Sequence, residues 1–107
     1  MTVKASNSAP LVIHTDKGIS LMPTLSVFYG IIIQMFWRDH VPPHFHATYG
    51  EFEALLDIRT LEVIGGQLPR RALLLVLEWA QDNRADLLED WELCVRKQMP
   101  KQITPLP

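Results

Sequence analysis

The stretch "HFHATYGEFEALLDIRTLEVIGG", residues 44–66, decides how this chain folds. Phe45, Ala47 and Tyr49 alternate with His44, His46 and Thr48. After Gly50-Glu51 the alternation resumes, with Phe52, Ala54, Leu56 and Ile58 against Glu53, Leu55, Asp57 and Arg59. A period of two is the signature of strands with one buried face. Two residues between the runs, glycine first, suit a tight hairpin turn. That turn fixes a register. Tyr49 faces Phe52, Ala47 faces Ala54 and Phe45 faces Leu56 on an apolar face, while Thr48–Glu53, His46–Leu55 and His44–Asp57 pair on the other. A slip of one residue would exchange the two faces, so burial holds the register. A second turn and a third strand follow towards Gly65-Gly66.

Upstream, Phe28 to Trp37 is β-branched and aromatic and reads as one buried strand. "RDHVPP" (38–43) interrupts it, since neither proline can donate to a ladder. Downstream, "GGQLP" ends the sheet and Pro69 suits the first position of a helix. Leu73, Leu77 and Ala80 recur at helical spacing, as do Leu87 or Leu88, Trp91 and Val95. Asn83, with Asp86 three residues on, marks a break near Asp82-Asn83. Strands followed by helices predict an α+β fold: a three- or four-stranded antiparallel meander, then two α-helices packed on one sheet face. The histidine face is then left to solvent or a partner. Trp79 and Trp91 are expected in the core, and the acidic run "LLEDWE" (87–92) on a solvated face.

With 107 residues there is room for one core. Hydrophobic residues make up 48% and charged ones 21%, an ordinary globular balance. A net charge of −2 argues against a broad basic face for nucleic acid, though not against a local patch. The single cysteine, Cys94, cannot form an internal disulfide and reads as a small buried thiol, so a cytoplasmic location is expected. The longest apolar runs are too short to span a bilayer. Residues 1–21 lack periodicity and are expected to be a poorly ordered leader, with Met22 as a natural start; an extra edge strand at "PLVIHT" is the competing reading. Residues 22–99 form the domain and 100–107 a proline-punctuated tail.

"HVPPHFHA", residues 40–47, holds three of the four histidines. His44 and His46 leave the same face of a strand, and three readings stay open. They could bind a transition metal such as zinc with His40, or Asp57, as a third ligand. They could carry general acid–base chemistry, His44 with Asp57 opposite and His46 beside it, in metal-independent RNA cleavage without a cofactor; Arg38, Arg59, Arg70 and Arg71 would then hold phosphates. Arg70 and Arg71 open a helix against its dipole, which an anion would relieve. Or the cluster is structural or interfacial.

The string "MPTLSVFYGIIIQMFWRDHVPPHFHATYGEFEALLDI", with "LPRRAL", "LEWA" and "LLEDWE", resembles a small bacterial family catalogued as domain of unknown function 4160. The resemblance spans roughly residues 22–107. Its members are often encoded beside, or fused to, another small domain, and such pairs are described as type II toxin–antitoxin modules with this family as the toxin. It implies a cognate small protein as partner and assigns no catalytic residues. Two functions follow as expectations: a toxin-like component cleaving RNA through His44, His46 and Asp57, or a non-enzymatic module that binds its cognate protein. A homodimer through an unpaired outer strand is a further expectation.

Overall fold

The computed structural model describes residues 11–15, 18–37 and 40–107. Its elements, in chain order, are strands β1 (Leu11–Thr15), β2 (Gly18–Met22), β3 (Thr24–Phe28), β4 (Ile31–Gln34), β5 (His44–Tyr49), β6 (Phe52–Asp57) and β7 (Val63–Gly66), then helices α1 (Arg70–Asp82) and α2 (Arg84–Val95). Strands β3 to β7 form one antiparallel meander in sequence order, and β1 and β2 pair with each other in a separate ladder. The fold is α+β. Among the described residues the main sheet has five strands, not three or four.

The additional strand comes from a turn inside the apolar run. Tyr29 (φ 51°) and Gly30 (φ 78°) both lie in the left-handed region, the requirement of a two-residue I′ hairpin. They fold Phe28 back onto Ile31 and split the expected strand into β3 and β4. Tyrosine is an unusual residue for the first turn position, so the turn carries no Asn-Gly signature.

The β5–β6 hairpin has the expected register at all six positions, from Tyr49 opposite Phe52 to His44 opposite Asp57. Gly50 takes the positive φ (57°). Phe45, Ala47, Ala54 and Leu56 are buried, and β4 adds Ile31 and Ile33 to the same face. Helix α1 covers this face with Ala72, Val76, Trp79 and Ala80. The Trp79 ring lies 5.3 Å from Phe28 and 6.1 Å from Phe45. Large side chains of this kind contribute about 1.5–3 kcal/mol each when fully buried. Leu73 and Leu77, expected to point inward, pack only at the margin of the core; the buried stripe is turned to centre on Trp79.

α1 and α2 meet at Asn83, as the spacing predicts. Its side chain caps neither helix start; Nδ2 donates to the Trp79 carbonyl at 2.8 Å. In α2 the acidic run departs from expectation, because Asp90 is buried along with Leu87, Trp91 and Cys94. Residues 100–107 have no regular structure but lie along the domain. Ile103 is buried and its N–H bonds the Leu25 carbonyl on β3 (2.8 Å), while Trp79 Nε1 donates to the Thr104 carbonyl (2.8 Å).

At the other edge of the sheet, Gly66 (φ 68°) passes so close to β6 that a Cβ would run into the Glu53 carbonyl. That carbonyl accepts from Gln67 N–H at 3.0 Å. Gly50 has the same sign of φ but open space around it. Gly66→Ala is therefore expected to cost clearly more stability than Gly50→Ala, whose cost should be about 1 kcal/mol. Urea denaturation of both variants checks this; equal losses would mean that β7 is not held against β6 as described.

Candidate functional site

Because β5 places alternate side chains on opposite faces, His44 and His46 leave the side away from Phe45 and Ala47. They were expected to face solvent or a partner. Instead both are buried, at 5% and 6% exposure. The rings lie 5.3 Å apart. Trp91 of α2 packs on His44 at 5.4 Å, and Phe36, beyond the end of β4, meets His46 edge-on at 4.5 Å. Residues on neighbouring elements thus cover a pair that β5 and β6 alone would leave open.

Each ring is anchored through Nδ1. On His44 this atom bonds the Pro42 carbonyl at 2.8 Å. A carbonyl only accepts, so Nδ1 carries the proton. On His46 it bonds Glu53 Oε2 at 3.0 Å. Glu53 is directly opposite Thr48, making it the diagonal neighbour of His46 on the same face. A carboxylate holding one imidazole nitrogen fixes ring orientation and tautomer.

Asp57, the expected partner of His44, stands opposite it in register. Its Oδ1 accepts from the backbone N–H groups of Arg59 (2.7 Å) and Thr60 (3.1 Å), so the side chain builds the turn that leads into β7. Arg59 does not converge with Arg71. Arg59 is exposed in that turn, at the His44 end of the sheet, whereas Arg71 lines a cavity with Tyr49 at the other end of β5. A six-residue strand separates these ends by roughly 17 Å. Arg70 is exposed at the start of α1, and Arg38 lies outside the described residues. His40 is exposed. Among the described residues, no group of three His, Cys, Asp or Glu side chains is placed to hold a metal ion.

Phe36 and Trp37 leave opposite faces of the expected strand, so the sequence predicts one ring near the histidines, and it is Phe36. Two other partners do not show in the sequence. Glu53 reads as the solvent-side partner of Thr48, and only its diagonal reach ties it to His46. Trp91 comes from α2, outside the hairpin. A family model described as a domain of unknown function (DUF4160) matches residues 30–92, from the β3–β4 turn through most of α2, and this covers the histidine pair together with Phe36, Pro42, Glu53 and Trp91. The chain belongs to the DUF4160 family. No curated protein and no solved structure matches it. No helix among the described residues of this DUF4160 domain is long and apolar enough to cross a membrane.

A second polar group is buried in α2. Asp90 Oδ1 accepts from Lys101 N–H (2.8 Å), but its other oxygen is buried with no hydrogen-bond partner. Burial pushes its pKa from the ordinary 3.8 up to about 6, with Glu89 and Asp86 adding repulsion and the Lys101 N–H bond and charge opposing it. The same surroundings, with Asp90 itself nearby, raise the Cys94 thiol to about 12, so Cys94 is an inert packed group. For Asp90 the folded state holds the proton more tightly than the unfolded state. Stability from this group is greatest below about pH 4 and is lost as pH rises to about 6, up to about 3 kcal/mol in total. Asp90→Asn keeps the oxygen that accepts from Lys101 and removes the charge. It should be the more stable protein at pH 7 and lose that advantage near pH 4. Urea denaturation across this range is the check, and parallel stability curves for the two proteins would contradict it.

Proposed function

We propose that this DUF4160 domain is the toxin-like member of a two-protein pair and that it docks its cognate small protein on the open face of its sheet. The observation that carries the reading is the composition of that face. Helix α1 covers the side formed by Ile31, Ile33, Phe45 and Ala47. On the opposite side Val27 and Ile32 face each other across β3 and β4, 54% and 38% exposed, in one row with Thr48 and Glu53. Two adjoining β-branched side chains flanked by a hydroxyl and a carboxylate form a small apolar centre with a polar rim, the usual anatomy of a contact patch. The gene arrangement described for members of the family supplies the kind of partner.

Cleavage of RNA is the second reading, and the His46–Glu53 pair favours it. An imidazole oriented by a carboxylate is the arrangement general acid–base catalysis needs. In this reading Glu53 takes the orienting role first expected of Asp57. The burial of both rings weighs towards docking, because a scissile phosphate must reach Nε2.

Co-expression with the product of the adjacent gene separates the two. Docking predicts a complex that survives purification, persists in His46→Gln, and weakens at least about tenfold in the folded Val27→Asp/Ile32→Asp variant, since two charges would be desolvated. No complex, or one indifferent to those two aspartates, overturns it. Cleavage of total RNA by the wild type that disappears in His46→Gln would instead establish the second reading.

A further inference from the structure

The other end of the domain, on the helix-covered side of the sheet, carries a second feature. A cavity of about 440 Å³ opens between the β3–β4 turn, the end of β5 and the start of α1, walled by Tyr29, Ile31, Tyr49, Arg71, Ala72 and Leu75. Its volume falls within the range of small-molecule sites. Ile31 and Ala72 make a buried apolar floor.

The first of the two tyrosines is costly to place as it is. Tyr29 is 60% exposed and contributes little to the core, yet it occupies a left-handed turn position that glycine or asparagine fills more easily. Strain at an exposed aromatic residue points to a use for the ring. The ring is also tethered, because Tyr29 Oη donates to the Pro107 carbonyl at 2.7 Å. The next residue, Gly30, leaves room for the second ring: a Cβ there would meet Tyr49 Cε1 at 3.4 Å. Tyr49 is 40% exposed. Two half-open phenol rings therefore stand at adjacent hairpin tips.

The charged side chain that lines this cavity is positive. Arg71 is the charged side chain in its lining, it is exposed, and among the described residues no carboxylate forms an ion pair with it. Pro69 precedes it at the start of α1 and supplies no side-chain cap, so first-turn N–H groups add to the same positive end. A bare anion would leave most of the volume and the apolar floor unused. A planar ring carrying an anionic group uses all of it.

We propose that this cavity binds a nucleotide, with the base laid against Tyr29 and Tyr49 and the phosphate held by Arg71. Aromatic side chains accept any base by stacking, and a guanidinium forks onto phosphate oxygens. The site is separate from the histidine pair and stands or falls without it.

The test is an NMR titration of the full chain with AMP, adenosine and inorganic phosphate in turn. AMP is expected to shift the ring resonances of Tyr29 and Tyr49 and the amides of residues 70–72, with adenosine and phosphate each binding at least about tenfold more weakly. Arg71→Ala and Tyr49→Leu, both exposed positions whose folding the same spectra report, should each weaken AMP binding about tenfold. A single-stranded oligoadenylate then identifies the source: much tighter binding than AMP assigns the site to a nucleic-acid strand, and equal binding to a free nucleotide. Unmoved tyrosine rings at millimolar AMP, or unchanged AMP affinity in Arg71→Ala, would overturn the proposal.

Discussion

The two-residue turn at Gly50-Glu51 determines what every other element of the domain can meet. It pairs Tyr49 with Phe52, and the pleat then sends Phe45, Ala47, Ala54 and Leu56 to one side and His44, His46, Glu53 and Asp57 to the other. The first set forms the floor on which Trp79 rests. The second set brings two imidazoles and two carboxylates onto one small area. With the register moved by one residue, Phe45 and Leu56 would be exposed and the charged groups would lie under α1, a change of many kcal/mol. The hydrophobic pattern and the turn agree, so a single pairing is selected.

The carboxylates on that face have divided tasks. Asp57 is committed to the backbone of the following turn through Arg59 and Thr60, while Glu53 reaches diagonally to His46. Trp91 and Phe36 then close over the rings. The result is a polar pair held inside a mostly apolar setting, next to an open row of Val27, Ile32 and Thr48. The family match, from Gly30 to Glu92, covers the two rings, Glu53, Phe36, Trp91, Ile32 and Thr48, whereas Val27 precedes it. The C-terminal segment lies outside the match but is bonded to the core through Leu25, Trp79 and Asp90.

Much of this was legible from period and turn chemistry. The β5–β6 register, the α+β order and the break between the helices follow from alternation, one glycine and one asparagine. The β3–β4 turn did not show, because Tyr29 adopts a conformation that its side chain disfavours and tertiary packing overrides that preference. The burial of the histidines was equally hidden. Alternation tells which residues share a face and places Phe36 or Trp37 near it, but not whether Trp91, distant in sequence, returns to cover it. Asp90 was misplaced for the same reason: one acid in an acidic run turns inward where Lys101 N–H meets it. Contacts between elements far apart in the chain leave little trace in local pattern.

The central claim is that the hairpin register puts His44 and His46 together on the face opposite Phe45. In a two-residue hairpin the pair flanking the turn is hydrogen-bonded, so Thr48–Glu53, His46–Leu55 and His44–Asp57 are the non-hydrogen-bonded pairs with Cα atoms about 4.5 Å apart. Nuclear Overhauser effects between α-protons read that spacing directly. The account predicts strong cross-strand effects for His46–Leu55 and His44–Asp57. Strong effects from His46 to Ala54 or Leu56 in their place would show a slipped register, and the histidine site described above would not exist.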